Sequence, residues 1–215
     1  FNSAKFEKFT KLGDFDMVRA YLPHARKHGL RLVPYVNMHW YSYEFAARHP
    51  GWEQVLEDGT AYGRTKPLYG DGTTFCVNGP WRDWAFEMIR EVMRTGADGC
   101  FLDGPVVYPG CCYCKSCRAL FRKQAGARRL PAWNDWADPR WKAFLRFRAD
   151  SWAAFLRDAQ TAAREINPEA VIFLNGGYYD SSSPAVARAR RRGGVVVPAV
   201  EEDRGLGVDL ARGGP

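Results

Sequence analysis

Gly99-Cys100-Phe101-Leu102-Asp103-Gly104-Pro105 is the stretch on which the fold turns. A short apolar run bounded by turn residues reads as a buried strand. Here the run ends on a carboxylate, and Gly-Pro then bends the chain. A charged group straight after residues that must be buried sits at the strand's C-terminal tip. That is where parallel α/β folds gather their functional groups. Leu30-Arg31-Leu32-Val33-Pro34-Tyr35-Val36-Asn37-Met38-His39-Trp40 has the same form and a polar tip of Asn37, His39 and Trp40. Ala170-Val171-Ile172-Phe173-Leu174-Asn175-Gly176-Gly177 repeats it, and Val195-Val196-Val197 leads toward Glu201-Glu202-Asp203.

Helical patterns separate these runs. Asp14 to His28 places Phe15, Val18, Tyr21, Leu22 and Ala25 on one face, with Pro23 predicting a kink or break and Gly29 a stop. Pro80 opens a helix whose apolar face is Trp81, Trp84, Ala85, Met88, Ile89 and Val92, closed by Gly96. A short helix runs through Phe121, and Pro139 opens a long one to about Ile166 with Trp141, Phe144, Leu145, Trp152, Phe155 and Leu156 on one side. Tyr41 to Phe75 has no strong period and reads as a long functional or disordered loop.

Alternating strand and helix predicts a parallel sheet flanked by helices. With four strands in 215 residues, against about 250 for a full barrel, the alternatives are a partial barrel and an open sheet. The expected fold is α/β, a partial (β/α)8 TIM barrel. Residues 1–180 form the barrel segment and 181–215 a weakly patterned tail with a further strand.

Composition narrows the class. Hydrophobic residues are 46%, charged 26% and aromatic 14%, which excludes disorder and collagen-like repeats. No apolar run reaches a membrane span. Phe1-Asn2-Ser3-Ala4-Lys5 has neither a leader's apolar core nor an initiator Met, so a fragment or trimmed chain is expected. The net charge of +7 comes from 31 Lys and Arg against 24 Asp and Glu. It is spread along helices, with one dense run at Arg188, Arg190, Arg191 and Arg192. It therefore reads as solvated surface, with no nucleic-acid or membrane partner expected. A cytoplasmic location is favoured, and a homo-oligomer stays open.

The cysteines are Cys76, Cys100, Cys111, Cys112, Cys114 and Cys117. Cys112, Cys114 and Cys117 bring three thiolates together on a tight loop entering a helix. Zinc takes four such ligands in a closed, structural site. Cys76 or Cys111 could supply the fourth, and Cys100 reads as a small core residue. Disulfides and free buried thiols are the alternatives.

Glycosidic cleavage needs two carboxyl groups. Asp103 is one candidate, against the alternative of a loop-capping Asp. Glu201 is the candidate second, with Glu202, Asp203 and Glu44 as competitors. Asn37, His39, Trp40, Asn175 and Tyr178 are the candidate substrate-binding residues, because aromatics beside amides and imidazole suit a sugar's apolar faces and hydroxyl edges. His24 and His28 read as surface.

Two segments resemble glycoside hydrolase family 42 β-galactosidases. Thr74-Phe75-Cys76-Val77-Asn78-Gly79-Pro80 is similar to their Cys-x-Asn-x-Pro segment, and Cys112-Tyr113-Cys114-Lys115-Ser116-Cys117 to their Cys-Tyr-Cys-x-x-Cys segment. The resemblance implies structural zinc on Cys76, Cys112, Cys114 and Cys117. The run as a whole, about residues 14 to 178, resembles the hypothetical glycosyl hydrolase family 6. Its matching pieces are His28 to Asn37, the Cys76 segment, Asp98 to Pro105, and Ile166-Asn167-Pro168. That resemblance implies a TIM-barrel catalytic domain acting on glycosides or oligo- and polysaccharides. Family 42 carries an Asn-Glu pair after the corresponding strand. Leu102-Asp103-Gly104 instead looks like the nucleophile strand of α-L-fucosidases, which implies a nucleophile at Asp103. A non-catalytic carbohydrate-binding or scaffold protein on the same fold is the alternative function, and a zinc-dependent nucleic-acid module the third.

Overall fold

The computed structural model describes residues 1–7, 10–175 and the two-residue strand at 195–196. Its centre is a four-stranded parallel sheet of β1 (Tyr35–Asn37), β4 (Gly99–Asp103), β5 (Val171–Leu174) and β6 (Val195–Val196), in that spatial order. Each parallel strand is added to the same side of the last. A doubly wound sheet would reverse direction at some point, whereas a barrel is wound without reversal. The expected partial barrel therefore holds as an α/β parallel segment. A closed barrel is not formed by the described residues.

The register settles the faces. Tyr35 pairs with Phe101 and Phe101 with Phe173; Asn37 pairs with Asp103. Successive side chains on a strand point to opposite faces. Val36, Met38, Cys100, Leu102, Ile172 and Leu174 therefore share one face, and all are buried. That face lies under α4 (Trp81–Arg94) and α6 (Arg140–Arg164), where the Trp81 and Phe155 rings stack at 5.2 Å. The opposite face carries Tyr35, Phe101, Asp103 and Phe173. It is only part-covered, and Tyr35 is 60% exposed.

Three expectations are corrected. The run from Leu30 enters the ladder only at Tyr35. Pro34 has no N–H to donate, although its carbonyl accepts from Phe101 N at 2.9 Å. The first helix, α1 (Met17–Lys27), continues through Pro23 without a break. Pro23 and Arg19 are both exposed, so water can serve the Arg19 carbonyl that proline leaves unpaired. Within that helix only Val18 is buried; Tyr21 faces solvent, as does Phe15 ahead of the helix. Val18 and the half-buried Leu22 and Ala25 anchor it, and Arg26 adds an ion pair to both Asp98 oxygens at 2.8 and 2.9 Å.

The segment from Tyr41 to Phe75 is ordered. It contains β2 (Tyr41–Ser42), α2 (Tyr43–Arg48), α3 (Tyr62–Thr65) and β3 (Gly72–Thr73), with β2 and β3 antiparallel. Tyr41 stacks on Phe75 at 4.2 Å, and Phe45, Trp52 and Trp84 close around them. Gln54 is buried among these loops. Its amide N–H groups reach the Phe75 and Val106 carbonyls at 3.1 and 2.6 Å, and its oxygen accepts from Tyr108 N at 3.1 Å. No helix among the described residues is long and apolar enough to cross a membrane.

Leu102 has no exposed surface, so Leu102→Ala should cost ~2–5 kcal/mol by urea unfolding. Leu30→Ala, at a residue 61% exposed, should stay within ~0.5 kcal/mol. Equal losses from the two would contradict the assignment of the faces.

Candidate functional site

Two centres stand at the C-terminal ends of the strands and their following loops. The first is built from sulfur. Cys76 precedes α4, and Cys112, Cys114 and Cys117 lie on the loop after β4 and the first turn of α5 (Lys115–Ala125). Their sulfurs all lie within 4.8 Å of one another and are buried. Cys76 Sγ is 3.5 Å from Cys117 Sγ and 3.6 Å from Cys114 Sγ. Thiolates at ~2.3 Å around a tetrahedral centre stand ~3.8 Å apart, whereas a disulfide would bring two sulfurs to ~2.05 Å. The described cysteines are unbridged, and the cluster could hold a metal ion.

N–H groups surround the sulfurs. Asn78 Nδ2 donates to Cys117 Sγ at 3.3 Å and to Ser151 Oγ at 2.9 Å. Backbone N–H groups of Asn78, Val55 and Cys117 reach Cys76, Cys112 and Cys114 at 3.4, 3.5 and 3.5 Å. Donors of this kind orient and stabilise thiolate ligands. Contacts from Cys112, Cys117 and Cys76 hold the Cys114 thiol far below its usual range. Contacts from Cys112 chiefly push Cys76 and Cys117 up. Cys111 is buried outside the cluster. Cys100 lies on the helix-covered face of β4, where burial raises its thiol to about 12.

The second centre is Asp103, the last residue of β4. Its Oδ1 accepts from Asn175 Nδ2 at 2.8 Å. Its Oδ2 accepts a hydrogen bond from the Tyr35 hydroxyl. His39 Nδ1 lies 3.3 Å from the same oxygen and 3.2 Å from the Asp103 carbonyl. Tyr35 and Asn175 both donate to the carboxylate. Partial desolvation of the hydroxyl end, and then the bond to Asp103, push the Tyr35 phenol well above its ordinary range, so it stays a donor. His39 is 4% exposed. It packs where Gly104 follows with a φ of +95°, and a Cβ there would stand 2.7 Å from the His39 Cβ. Only glycine permits that approach.

Of the residues expected here, Asp103, His39 and Asn175 meet directly. Asn37 lies on the same face, but its side chain closes its own turn. Its Oδ1 accepts from the His39 and Trp40 N–H groups at 3.2 Å each. Trp40 is half-buried and donates from Nε1 to the Leu68 carbonyl at 3.1 Å. Tyr178 and Glu201 lie outside the described residues. His24 and His28 are exposed, as expected. Tyr35, Tyr69 and Asn78 join the two centres without having been singled out. Tyr35 could have been found from its two-residue spacing to Asn37 on one strand face.

Residues 1–104 match the family described as Hypothetical glycosyl hydrolase 6. That range includes Asn37, His39, Cys76 and Asp103 and stops before the other three cysteines of the cluster. No curated protein matches the chain. Among solved structures, alpha-L-fucosidase isoenzyme 2 from Paenibacillus thiaminolyticus is similar with a TM-score of 0.63 and 25% identity, over 87% of this chain and 27% of that one. A beta-galactosidase from the Antarctic haloarchaeon Halorubrum lacusprofundi gives 0.58 at 17% identity, over 83% of this chain and 32% of its own. The cold-adapted beta-galactosidase from Rahnella sp. R3 gives 0.53 at 17%, over 74% and 28%. The chain spans about a third or less of the length of these structures. They are TIM-barrel glycoside hydrolases, and the likeness places this chain's fold with part of such a barrel.

Protein purified without chelator should carry about one metal ion per chain by elemental analysis. Cys114→Ser should lose it and Cys111→Ser should keep it. Metal-free wild-type protein that is fully folded would show that the four sulfurs are not ligands.

Proposed function

We propose that the chain carries part of the active site of a glycoside hydrolase, with Asp103 as a catalytic carboxylate. The supporting observation is the carboxylate itself. It stands at the tip of a central parallel strand, on the part-covered face, fixed by Tyr35, His39 and Asn175. The family match and the barrel glycosidase likeness support the same reading.

In the retaining form of the reaction, an Asp103 oxygen donates a lone pair to the anomeric carbon while the bond to the leaving oxygen breaks. A second carboxyl group gives that oxygen its proton; Glu201 is the proposed donor. Water then displaces Asp103 from the sugar, returning the carboxylate and passing its proton to the second group. Tyr35, His39 and Asn175 hold the attacking carboxylate in one orientation, which lowers the entropic part of the barrier. Asn37, Trp40 and Tyr178 are proposed as sugar contacts, and the partner is a glycoside or glycan.

Zinc is the proposed occupant of the cysteine cluster, because an all-thiolate tetrahedral donor set is what it takes in closed sites. With four protein ligands it leaves no position for substrate. Its contribution is to tie the loop after β4 to the start of α4.

Asp103→Asn should lower hydrolysis of p-nitrophenyl α-L-fucopyranoside or β-D-galactopyranoside by ~10²–10⁴-fold or more, with the fold kept by circular dichroism. Undiminished turnover would remove Asp103 from the chemistry.

A further inference from the structure

A tight turn at Leu68–Gly72 stands over the Asp103 site. Leu68 N donates to the Gly72 carbonyl at 2.9 Å and Gly72 N to the Leu68 carbonyl at 3.1 Å. At its tip, Tyr69 and Gly70 are both left-handed, with φ of 52° and 89°. Glycine and asparagine adopt that region readily, but a bulky aromatic there is an outlier. Packing does not account for it, because Tyr69 is 74% exposed. The turn is nonetheless fixed in place. Gly72 has no Cβ, which leaves room for the Trp40 indole, and Trp40 Nε1 holds the Leu68 carbonyl.

This posture places the Tyr69 hydroxyl 3.1 Å from His39 Nε2, with the two rings edge to face at 5.7 Å. The proton positions on His39 follow from its neighbours. Nδ1 faces two acceptors, the Asp103 carbonyl and Oδ2, so the neutral ring carries its proton there. Nε2 is then an acceptor, and the Tyr69 O–H donates to it. A continuous relay runs from an exposed phenol through a buried imidazole to the carboxylate.

We propose that Tyr69 is a positioning and specificity-determining residue of this site: its hydroxyl, bonded to Nε2, holds the His39 ring in the orientation from which Nδ1 donates to Asp103, and its exposed ring forms the wall on which the apolar face of a pyranoside rests. The second half rests on the glycoside-hydrolase reading; the first does not. Strained backbone held at a functional position is the expected signature of such a residue.

Two variants separate the halves. Tyr69→Phe keeps the ring and removes the hydroxyl. It should lower kcat on the aryl glycosides about tenfold, the effect of one lost hydrogen bond, and leave KM within about twofold. The Nε2 resonance in the side-chain ¹⁵N spectrum of His39 should shift, because its phenolic donor is gone, while Nδ1 stays protonated toward Asp103. Tyr69→Asn fits the left-handed backbone and removes the ring. It should raise KM up to about tenfold while Tm holds or rises, whereas a merely structural tyrosine would lower Tm on removal.

An unchanged ¹⁵N spectrum in Tyr69→Phe would overturn the positioning role. An unchanged KM in Tyr69→Asn would overturn the sugar wall. If wild-type protein neither binds nor hydrolyses the two aryl glycosides, the wall falls together with the reading beneath it. The imidazole spectrum then decides the hydroxyl's role by itself.

Discussion

The parallel pairing of β1 with β4 and of β4 with β5 is the constraint from which the rest follows. Once Val36, Leu102 and Ile172 are committed to the helices, the pleat leaves no choice for their neighbours. Tyr35, Asn37, Phe101, Asp103 and Phe173 must face the other way. In-register pairing then puts Asn37 and Asp103 side by side. Asn175 sits one step beyond Leu174, with its N–H on the Leu102 carbonyl. Hydrophobic burial on one side of the sheet thus gathers polar groups on the other, at the end where the strands stop.

The loops beyond those ends contain few regular elements and are held by contacts distant in sequence. The cysteine cluster joins the start of α4 to the loop after β4. Gln54 bridges the same regions from beneath, and the Tyr41–Phe75 stack closes the inner side. These ties matter for the Asp103 centre because His39 and Tyr69 belong to that loop layer while Asp103 and Tyr35 belong to the sheet. The carboxylate is oriented by both layers at once.

The sequence made the strand tips legible, because Phe101-Leu102-Asp103 changes from buried to charged within one step. The cysteine spacing narrowed the cluster to three thiolates, and the family resemblance supplied Cys76. Much else depended on contacts that a linear pattern does not display. Tyr41 to Phe75 lacks a period because its order comes from aromatic packing across the chain. Phe15 and Tyr21 occupy helical spacing, yet that helix packs through Val18, Leu22 and Ala25 and leaves them in solvent. Asn37 reads as a free amide in sequence, but its oxygen serves the turn of His39 and Trp40. The site role of Tyr69 depends on a backbone posture that residue type argues against.

Gln54 has a consequence for inheritance. Its amide offers donors to three oxygens and an acceptor to one N–H, all in a space closed to water. Single-base changes in a glutamine codon that keep the chain intact yield Glu, Lys, His, Arg, Leu or Pro. None of these presents paired donors and an acceptor on one planar group. Each such change leaves a buried carbonyl or the Tyr108 N–H without its partner, although the side chain belongs to the loop layer and not to the Asp103 centre.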